Sequence, residues 1–298
     1  MPRLISLITL ALIAVLAVLY ASGADRALTQ WALSGQRGAQ DTMAGGLRAL
    51  RAGEGAALAG FLIVCFSYGF FHAAGPGHGK LLIGGYGAAR AVGAWRLSTV
   101  ALIASLAQGL SAVALVGAGV WVWQLGRAQM TDLADRLLAP LSFGAIALIG
   151  LWLVWRGLAR LRAAQRHHHH DHHHGPHCTT CGHAHLPDPA DIAAATGWRD
   201  MALLIGAIAI RPCTGALFIL ILTAQMGIFA IGVAATMAMA LGTAALTIAV
   251  ALGAVMMRRG VLAGLAESPA LARIQPMIEI AVGGFIAILA ARTALAAL

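Results

Sequence analysis

Seven long apolar runs, separated by short polar or basic stretches, constrain the fold of this chain more than any other feature. Each run is close to the roughly 20 residues that an α-helix needs to cross a bilayer. Hydrophobic residues occupy 60% of the 298 positions and charged residues only 10%, against about 25% charged residues in an average soluble domain. The sequence excludes an ordinary soluble domain and predicts an all-α, polytopic membrane protein with about seven transmembrane helices, over residues 4–20, 56–74, 97–123, 138–157, 201–224, 227–256 and 277–297.

The segments outside these spans have their own patterns. Residues 1–22 combine a basic start, an apolar run and a small-residue end, which is typical of an anchor helix and also of a cleaved signal peptide. Residues 23–55 mix apolar residues and arginines at helical spacing, which predicts an amphipathic segment at the membrane interface. The rest divides into a first transmembrane half, a polar loop and a second transmembrane half, at residues 56–160, 161–198 and 199–298.

The distribution of Lys and Arg predicts the orientation of the spans. With a cytoplasmic amino terminus, twelve of these residues fall on the cytoplasmic side and seven on the opposite side, and Arg211 stays inside an apolar run. Inner-membrane proteins carry their excess of Lys and Arg in short cytoplasmic loops. We therefore expect a multi-pass inner-membrane protein whose polar loop lies on the cytoplasmic side of the lipid bilayer.

Other function classes fit the sequence poorly. The net charge of +9 comes from one Lys and nineteen Arg scattered at the ends of apolar runs, without the basic face that nucleic-acid binding requires. The chain has no GxxxxGK[ST] motif, so we expect no ATP hydrolysis by this chain. Four cysteines are too few and too dispersed for the disulfide framework of a small secreted domain.

Six of the spans divide three and three around the polar loop. An odd number of spans in each half forces the halves into opposite orientations, which is the inverted-repeat plan of many transporters. Each half opens with a helix interrupted at a proline, by Gly-Pro-Gly at 75–77 and by Arg-Pro-Cys at 211–213. Broken helices at corresponding positions of two halves indicate a binding site near the bilayer midplane.

Two histidines, His72 and His78, flank the first break. Residues six apart point to different sides of an unbroken helix, but a break lets the chain bend and both imidazoles converge on one ion. Imidazole suits nickel, cobalt, zinc and copper rather than alkali or alkaline-earth ions. Because ionisable side chains inside a membrane usually mark a pathway, the pair predicts a transition-metal site on a permeation path.

Four more residues are candidates for this site. Cys213 is either a soft ligand that completes it or a small buried apolar residue. Lys80 either extends its ammonium group to the membrane surface or acts as a fixed charge, which discourages a cation from remaining at the site or pairs with Glu279. Arg211 has two candidate partners, the carbonyl groups released by Pro212 and the carboxylate of Glu279.

The polar loop holds ten of the twelve histidines between residues 167 and 185, together with a Cys-x-x-Cys pair. Such a tract cannot bury a core, so it is expected to remain exposed and available to metal ions. The spacing of its ligands is too compressed for a zinc finger, which favours a labile metal collector that can also hold Zn²⁺. Its predicted ligands are His167, His168, His169, His170, His172, His173, His174, His177, Cys178, Cys181, His183 and His185.

The stretch SYGFFHAAGPGHGK at 67–80, followed by Tyr86, resembles the signature of the NicO family of nickel/cobalt transporters. The stretch RPCTGA at 211–216 resembles the second motif of that family, and a His-rich central loop is typical of its efflux branch. The resemblance covers most of the chain from about residue 60. It implies a bacterial inner-membrane permease for Ni²⁺ and Co²⁺, most often an exporter, in which His72 and His78 match the metal-motif histidines.

One position departs from the pattern of that family. In the related high-affinity uptake permeases, and in some efflux members, an acidic residue stands inside the histidine motif, whereas Gly75 and Pro76 occupy its middle here. Without that carboxylate the ligand set carries less negative charge, which favours export over high-affinity uptake.

The leading hypothesis is therefore secondary export of divalent nickel or cobalt, which is the substrate rather than a permanently bound cofactor. Proton coupling is expected because histidine titrates near neutral pH and releases its metal when it is protonated. A periplasmic metal-binding protein is a further expected partner, and the oligomeric state stays open. The alternatives are nickel/cobalt uptake, a thiol-disulfide electron carrier that uses Cys65 and Cys213, and a metal sensor built on the loop.

Overall fold

The computed structural model describes residues 22–75, 78–89, 92–166, 198–263 and 271–296. Over these ranges the regular structure is helical and no strand occurs. The helices are α1 (Ala24–Arg51), α2 (Ala57–Ala74), α3 (His78–Ala89), α4 (Ala94–Trp121), α5 (Arg127–Leu133), α6 (Ala139–Arg166), α7 (Trp198–Ala209), α8 (Thr214–Gln225), α9 (Phe229–Ala263) and α10 (Leu271–Ala296), and a π-helical turn (Ala134–Leu138) joins α5 to α6.

Six of the seven predicted spans correspond to helices, and the first, at residues 4–20, lies outside the described residues. The bent pair of α7 and α8 counts as one broken span, with an angle of 55° between its parts. Five further helices are long and apolar enough to cross a membrane, so the described chain has five such helices, or six with the bent pair. The prediction of an all-helical, polytopic membrane protein is confirmed, with the five unbroken spans at Ala57–Ala74, Ala94–Trp121, Ala128–Arg162, Phe229–Met257 and Pro276–Leu295.

The outer surface of the bundle is apolar, as a surface in contact with lipid must be. Leu148 and Ile288 expose about two thirds of their surface, although both lie within long apolar helices. On α4 the exposed tryptophans stand near the two ends, with Trp95 at the start and Trp121 at the last position. Tryptophan is enriched at both membrane–water interfaces, so this placement matches a helix that spans the bilayer.

The amphipathic segment predicted at residues 23–55 forms one continuous helix, α1, of 28 residues. Ala32, Met43 and Leu47 are buried against the bundle, and α1 packs along α2. The Trp31 ring meets Phe71 of α2 edge to face, with 5.1 Å between the ring centroids. This helix is therefore a packed part of the fold, and its position at the membrane interface stays a prediction.

The two halves share one order of elements. In the first half the broken helix α2–α3 precedes the long helices α4 and α6, and in the second half the broken helix α7–α8 precedes the long helices α9 and α10. The long helices pair across the halves, α4 with α9 and α6 with α10. This order agrees with two repeats of three spans, whereas the inverted symmetry between them stays a prediction.

Glycines allow the halves to approach closely at two crossings. Where α2 crosses α9, a side chain at Gly69 would collide with the backbone of Met239, and the Thr243 hydroxyl donates to the Gly69 carbonyl at 3.2 Å. Where α6 crosses α10, Gly150 and Gly283 meet backbone to backbone. Small residues at helix crossings let dispersion contacts form over a larger area, which is a main source of stability in lipid.

Buried side chains form two separate apolar clusters. We call them the α1–α8 cluster, which gathers residues of α1, α2 and α8, and the α6–α7 cluster, which gathers residues of α3, α6, α7 and α10. Helices α4 and α9 belong to both, because Leu97 and Val255 pack in the α6–α7 cluster whereas Val116 and Met239 pack in the α1–α8 cluster. The middle of α4 and the middle of α9 therefore lie between two packed layers.

The close crossing of α2 and α9 yields a stability prediction. Gly69→Ala forces a methyl group against the backbone of Met239, and we expect a loss of about 1–3 kcal/mol of stability. Gly60→Ala on the same helix is the matched control, because a side chain there meets no atom within 4 Å and alanine favours helix by about 1 kcal/mol. The measurement is the thermal unfolding midpoint in detergent, and equal midpoints for the two variants would contradict the prediction.

Candidate metal centre

The first helix break follows α2. Gly75 has an extended backbone with ψ of 173°, and α3 begins at His78. A proline disfavours helical geometry in the residue before it and lacks an amide hydrogen, so Pro76 accounts for the end of α2. As a result, His72 occupies the last turn of α2, directly beside the break.

The second break lies between α7 and α8 and contains Pro212. Cys213 follows it in an extended conformation and forms the amino-terminal cap position of α8. Gln108 of α4 donates a hydrogen bond from Nε2 to the carbonyl oxygen of Arg211, at 3.0 Å. A side chain of the first half thus satisfies a backbone acceptor at the break of the second half, as membrane interiors require.

The two breaks bring His72 and Cys213 together from opposite halves of the chain. The Cys213 thiol lies beside the His72 imidazole, within hydrogen-bonding reach, and faces the backbone amides of Gly215 and Ala216 in the first turn of α8. An imidazole nitrogen and a thiol sulfur therefore share one location, and both residues line the same cavity.

Two residues that the sequence analysis left unassigned support this pair. The Tyr68 ring stacks on the His72 ring with 5.9 Å between centroids and 6° between planes, and it packs against Gly215. Gln36 of α1 donates from Nε2 to the Tyr68 hydroxyl at 3.2 Å. Tyr68 stood inside the quoted motif, one helical turn before His72, but Gln36 had no signal because its contact spans 32 residues of sequence.

We name the space between the halves the central cavity, which has a volume of about 260 Å³. Its positions on α4 and α9, including Gln108 and Thr243, fall between the residues of the two apolar clusters, about half way along both helices. Besides His72, Cys213 and Arg211, the described lining offers hydroxyl and amide groups from both halves and no carboxylate, with the polar positions Ser105, Gln108, Ser142, Thr214, Thr243 and Thr247.

Arg211 and Glu279 do not form the pair that the sequence analysis considered. The Arg211 guanidinium lies over the Phe143 ring, with its central carbon 4.8 Å from the centroid. Glu279 is fully buried at the start of the last span and accepts a hydrogen bond from Nη1 of Arg160 at 2.7 Å. The expected Arg211–Glu279 pair is therefore wrong, because the crossing of α6 and α10 carries Arg160 to that carboxylate.

Several predicted site residues lie outside what the structure describes. The backbone of α3 includes His78 and Lys80, but their side chains are not among the described ones, and the loop histidines and cysteines at 167–185 fall in the gap between α6 and α7. Cys65 is described, and it is a fully buried free thiol in the α1–α8 cluster. The roles of His78, Lys80 and the loop stay predictions.

The described part of the site can supply two ligand atoms to a metal ion. Among the described residues, no group of three or more His, Cys, Asp and Glu side chains is assembled in ligating positions. A nitrogen and a sulfur ligand suit borderline and soft transition metals and not Mg²⁺ or Ca²⁺, which require oxygen. The remaining coordination positions of such an ion are open to His78 or to small molecules in the central cavity.

Comparison with known proteins agrees with this chemistry. The NicO family model, described as "High-affinity nickel-transport protein", matches residues 58–174 and 159–297. A protein of Haemophilus influenzae named "Putative nickel/cobalt efflux system" is 29% identical over 197 residues, which is 61% of this chain and 61% of that protein. The match therefore spans less than two thirds of that relative, and no solved structure matches the chain.

The family match covers both helix breaks, the central cavity and the segment between the two halves, and it leaves out mainly residues 1–57, which include α1. This chain belongs to the NicO family, the nickel/cobalt transporter family that its two motifs resemble.

Proposed function

We propose that this chain is a secondary transporter that exports divalent nickel or cobalt across the bacterial inner membrane. The observation that carries the proposal is the meeting of His72 and Cys213 at two helix breaks, one from each half, on the wall of the central cavity. A site at the interface of two transmembrane halves can face one side and then the other as the halves move relative to each other.

The ligand chemistry supports a transition metal as the substrate. The thiolate is the form of cysteine that binds metal, and Cys213 stands at the amino-terminal end of α8, where the helix dipole favours negative charge. Tyr68, held by Gln36, fixes one face of the His72 ring and thereby limits the directions in which the imidazole can point. A restrained pair of ligands loses little freedom when an ion binds.

Three observations favour export over uptake. The Haemophilus relative carries an efflux name. The histidine motif has Gly75 and Pro76 where the related uptake permeases and some efflux members have an acidic residue, so the ligand set carries less negative charge. The His-rich loop is expected on the cytoplasmic side, where it would collect metal ions for export and deliver them to His72, His78 and Cys213.

The direction of transport is tested by cellular metal content. A bacterial strain that lacks the protein should accumulate several-fold more nickel or cobalt than the parent strain when either metal is supplied. The wild-type gene should restore the low content, and His72→Ala should not, because the cavity then loses an imidazole ligand. Depletion of nickel and cobalt in the strain without the protein would mean uptake.

The two described cysteines provide a matched pair that separates transport from electron transfer. Cys213→Ser should reduce metal resistance strongly, with apparent metal affinity lowered by at least about tenfold, because it removes a ligand. Cys65→Ser should leave resistance close to wild type, since Cys65 is buried among apolar side chains, away from the cavity lining. Equal loss in both variants would instead favour the thiol-disulfide carrier.

Proton coupling is proposed because the imidazole of His72 cannot hold a proton and a metal ion on one nitrogen. In proteoliposomes, a pH gradient that is acidic on the side opposite the loop should drive nickel movement toward that side. A protonophore should return the flux to the rate seen without a gradient, and Cys65→Ser should respond as the wild type does. Nickel flux that ignores an imposed pH gradient would refute the coupling.

A further inference from the structure

The described lining of the central cavity includes a cationic side chain that metal binding by His72 and Cys213 does not use. Arg211 lines the cavity, and a guanidinium group is a cation with five N–H donors. We propose that the metal occupies the cavity as a chelate with a small carboxylate-bearing ligand, and that Arg211 binds that carboxylate. This inference rests on the proposed transport function and specifies the chemical form of its substrate.

The geometry of Arg211 leaves its donors available to such a ligand. The guanidinium lies over the Phe143 ring, with its central carbon 4.8 Å from the ring centroid. A guanidinium is planar, and two of its N–H bonds can bind the two oxygens of one carboxylate. Within the described part of the chain no aspartate or glutamate forms an ion pair with Arg211, and the buried Glu279 forms its ion pair with Arg160.

Three of the five hydroxyl groups that line the cavity do not compete for the role of anion donor. Ser142 donates to the Ala207 carbonyl at 2.6 Å, Thr247 to the Thr243 carbonyl at 2.8 Å, and Thr243 to the Gly69 carbonyl at 3.2 Å. Their protons are thus committed to backbone oxygens, and they can offer only lone pairs to the cavity. A carboxylate in this space would find its charged donor at Arg211.

Charge balance points to the same ligand. A divalent ion near a permanent arginine charge is unfavourable unless negative charge accompanies it, and the described lining has no carboxylate. The Cys213 thiolate offsets one positive charge and leaves at least two on the metal and Arg211 together. A chelator with two or more carboxylates supplies the missing negative charge and binds the metal and Arg211 at once.

Coordination and space also agree. Nickel and cobalt take four to six ligands, so His72 and Cys213 leave positions open even with His78 as a third ligand. The cavity volume of about 260 Å³ corresponds to roughly nine water molecules at about 30 Å³ each. A naked ion would leave most of that volume to water, whereas a small hydroxy- or amino-acid chelate would occupy it.

The test is equilibrium dialysis of the full-length protein in detergent with ⁶³Ni and ¹⁴C-citrate. The double variant His72→Ala, Cys213→Ala measures binding by the His-rich loop, and its counts are subtracted. Wild-type protein should then retain nickel and citrate in about equal amounts, and ¹⁴C-citrate should not be retained without nickel. In the same assay ¹⁴C-ethylenediamine, a neutral chelator, should not be retained with nickel.

The variants separate Arg211 from general effects on the fold. Arg211→Gln should retain nickel, but its affinity for citrate should fall by about ten- to a hundredfold, which is the effect of removing a charged hydrogen-bond donor. Arg211→Lys, which keeps the charge without the two-pronged geometry, should lie between Arg211→Gln and wild type. Arg292→Gln changes an exposed arginine of α10, and this variant should retain as much ⁶³Ni and as much ¹⁴C-citrate as the wild type does.

The two proposals fail in different ways. Nickel retention equal to that of the double variant would refute the metal site and with it the proposed function. Nickel retention above that level but without ¹⁴C-citrate, citrate retention without nickel, or equal citrate retention by wild type and Arg211→Gln would overturn the chelate inference alone. If Arg211→Gln does not fold, the citrate and ethylenediamine comparison on wild-type protein still decides the question.

Discussion

The fold depends on one constraint, which is that backbone polar groups inside a bilayer need partners within the protein. Two helices here are interrupted at prolines, and each interruption releases carbonyl and amide groups that lipid cannot satisfy. The interruption at Pro212 therefore faces the interior, where Gln108 of the other half bonds the Arg211 carbonyl. The same requirement that hides the breaks from lipid gathers their functional side chains around the central cavity.

The fold was predictable to the extent that it follows from hydropathy. Apolar runs of bilayer length mark the spans whatever their neighbours are, and the prolines mark the breaks because they act on adjacent residues. Sequence periodicity did not show that α1 is one continuous helix packed along α2, nor that a π-helical turn joins α5 to α6. Those features depend on contacts with other helices, which hydropathy does not encode.

Some residues of the candidate site were predictable from the sequence, and the contacts between distant residues were not. His72 and Cys213 were predictable because each stands beside a proline break, and a polar residue there has a local signature. The contacts of Tyr68 with Gln36 and of Glu279 with Arg160 join residues 32 and 119 positions apart, so only the packed structure reveals them. Glu279 shows the error this produces, because Arg211 was considered as a partner of this buried carboxylate and Arg160 was not.

The two apolar clusters on either side of the central cavity have a consequence for the cell. A cell that stores energy as a transmembrane voltage and proton gradient loses that energy when ions leak through a continuous water-filled path across the membrane. Under the proposed transport function, one packed layer would open to admit a solute while the other kept the membrane sealed. Because α4 and α9 run through both layers, insulation of the membrane and access to the cavity are properties of the same two helices.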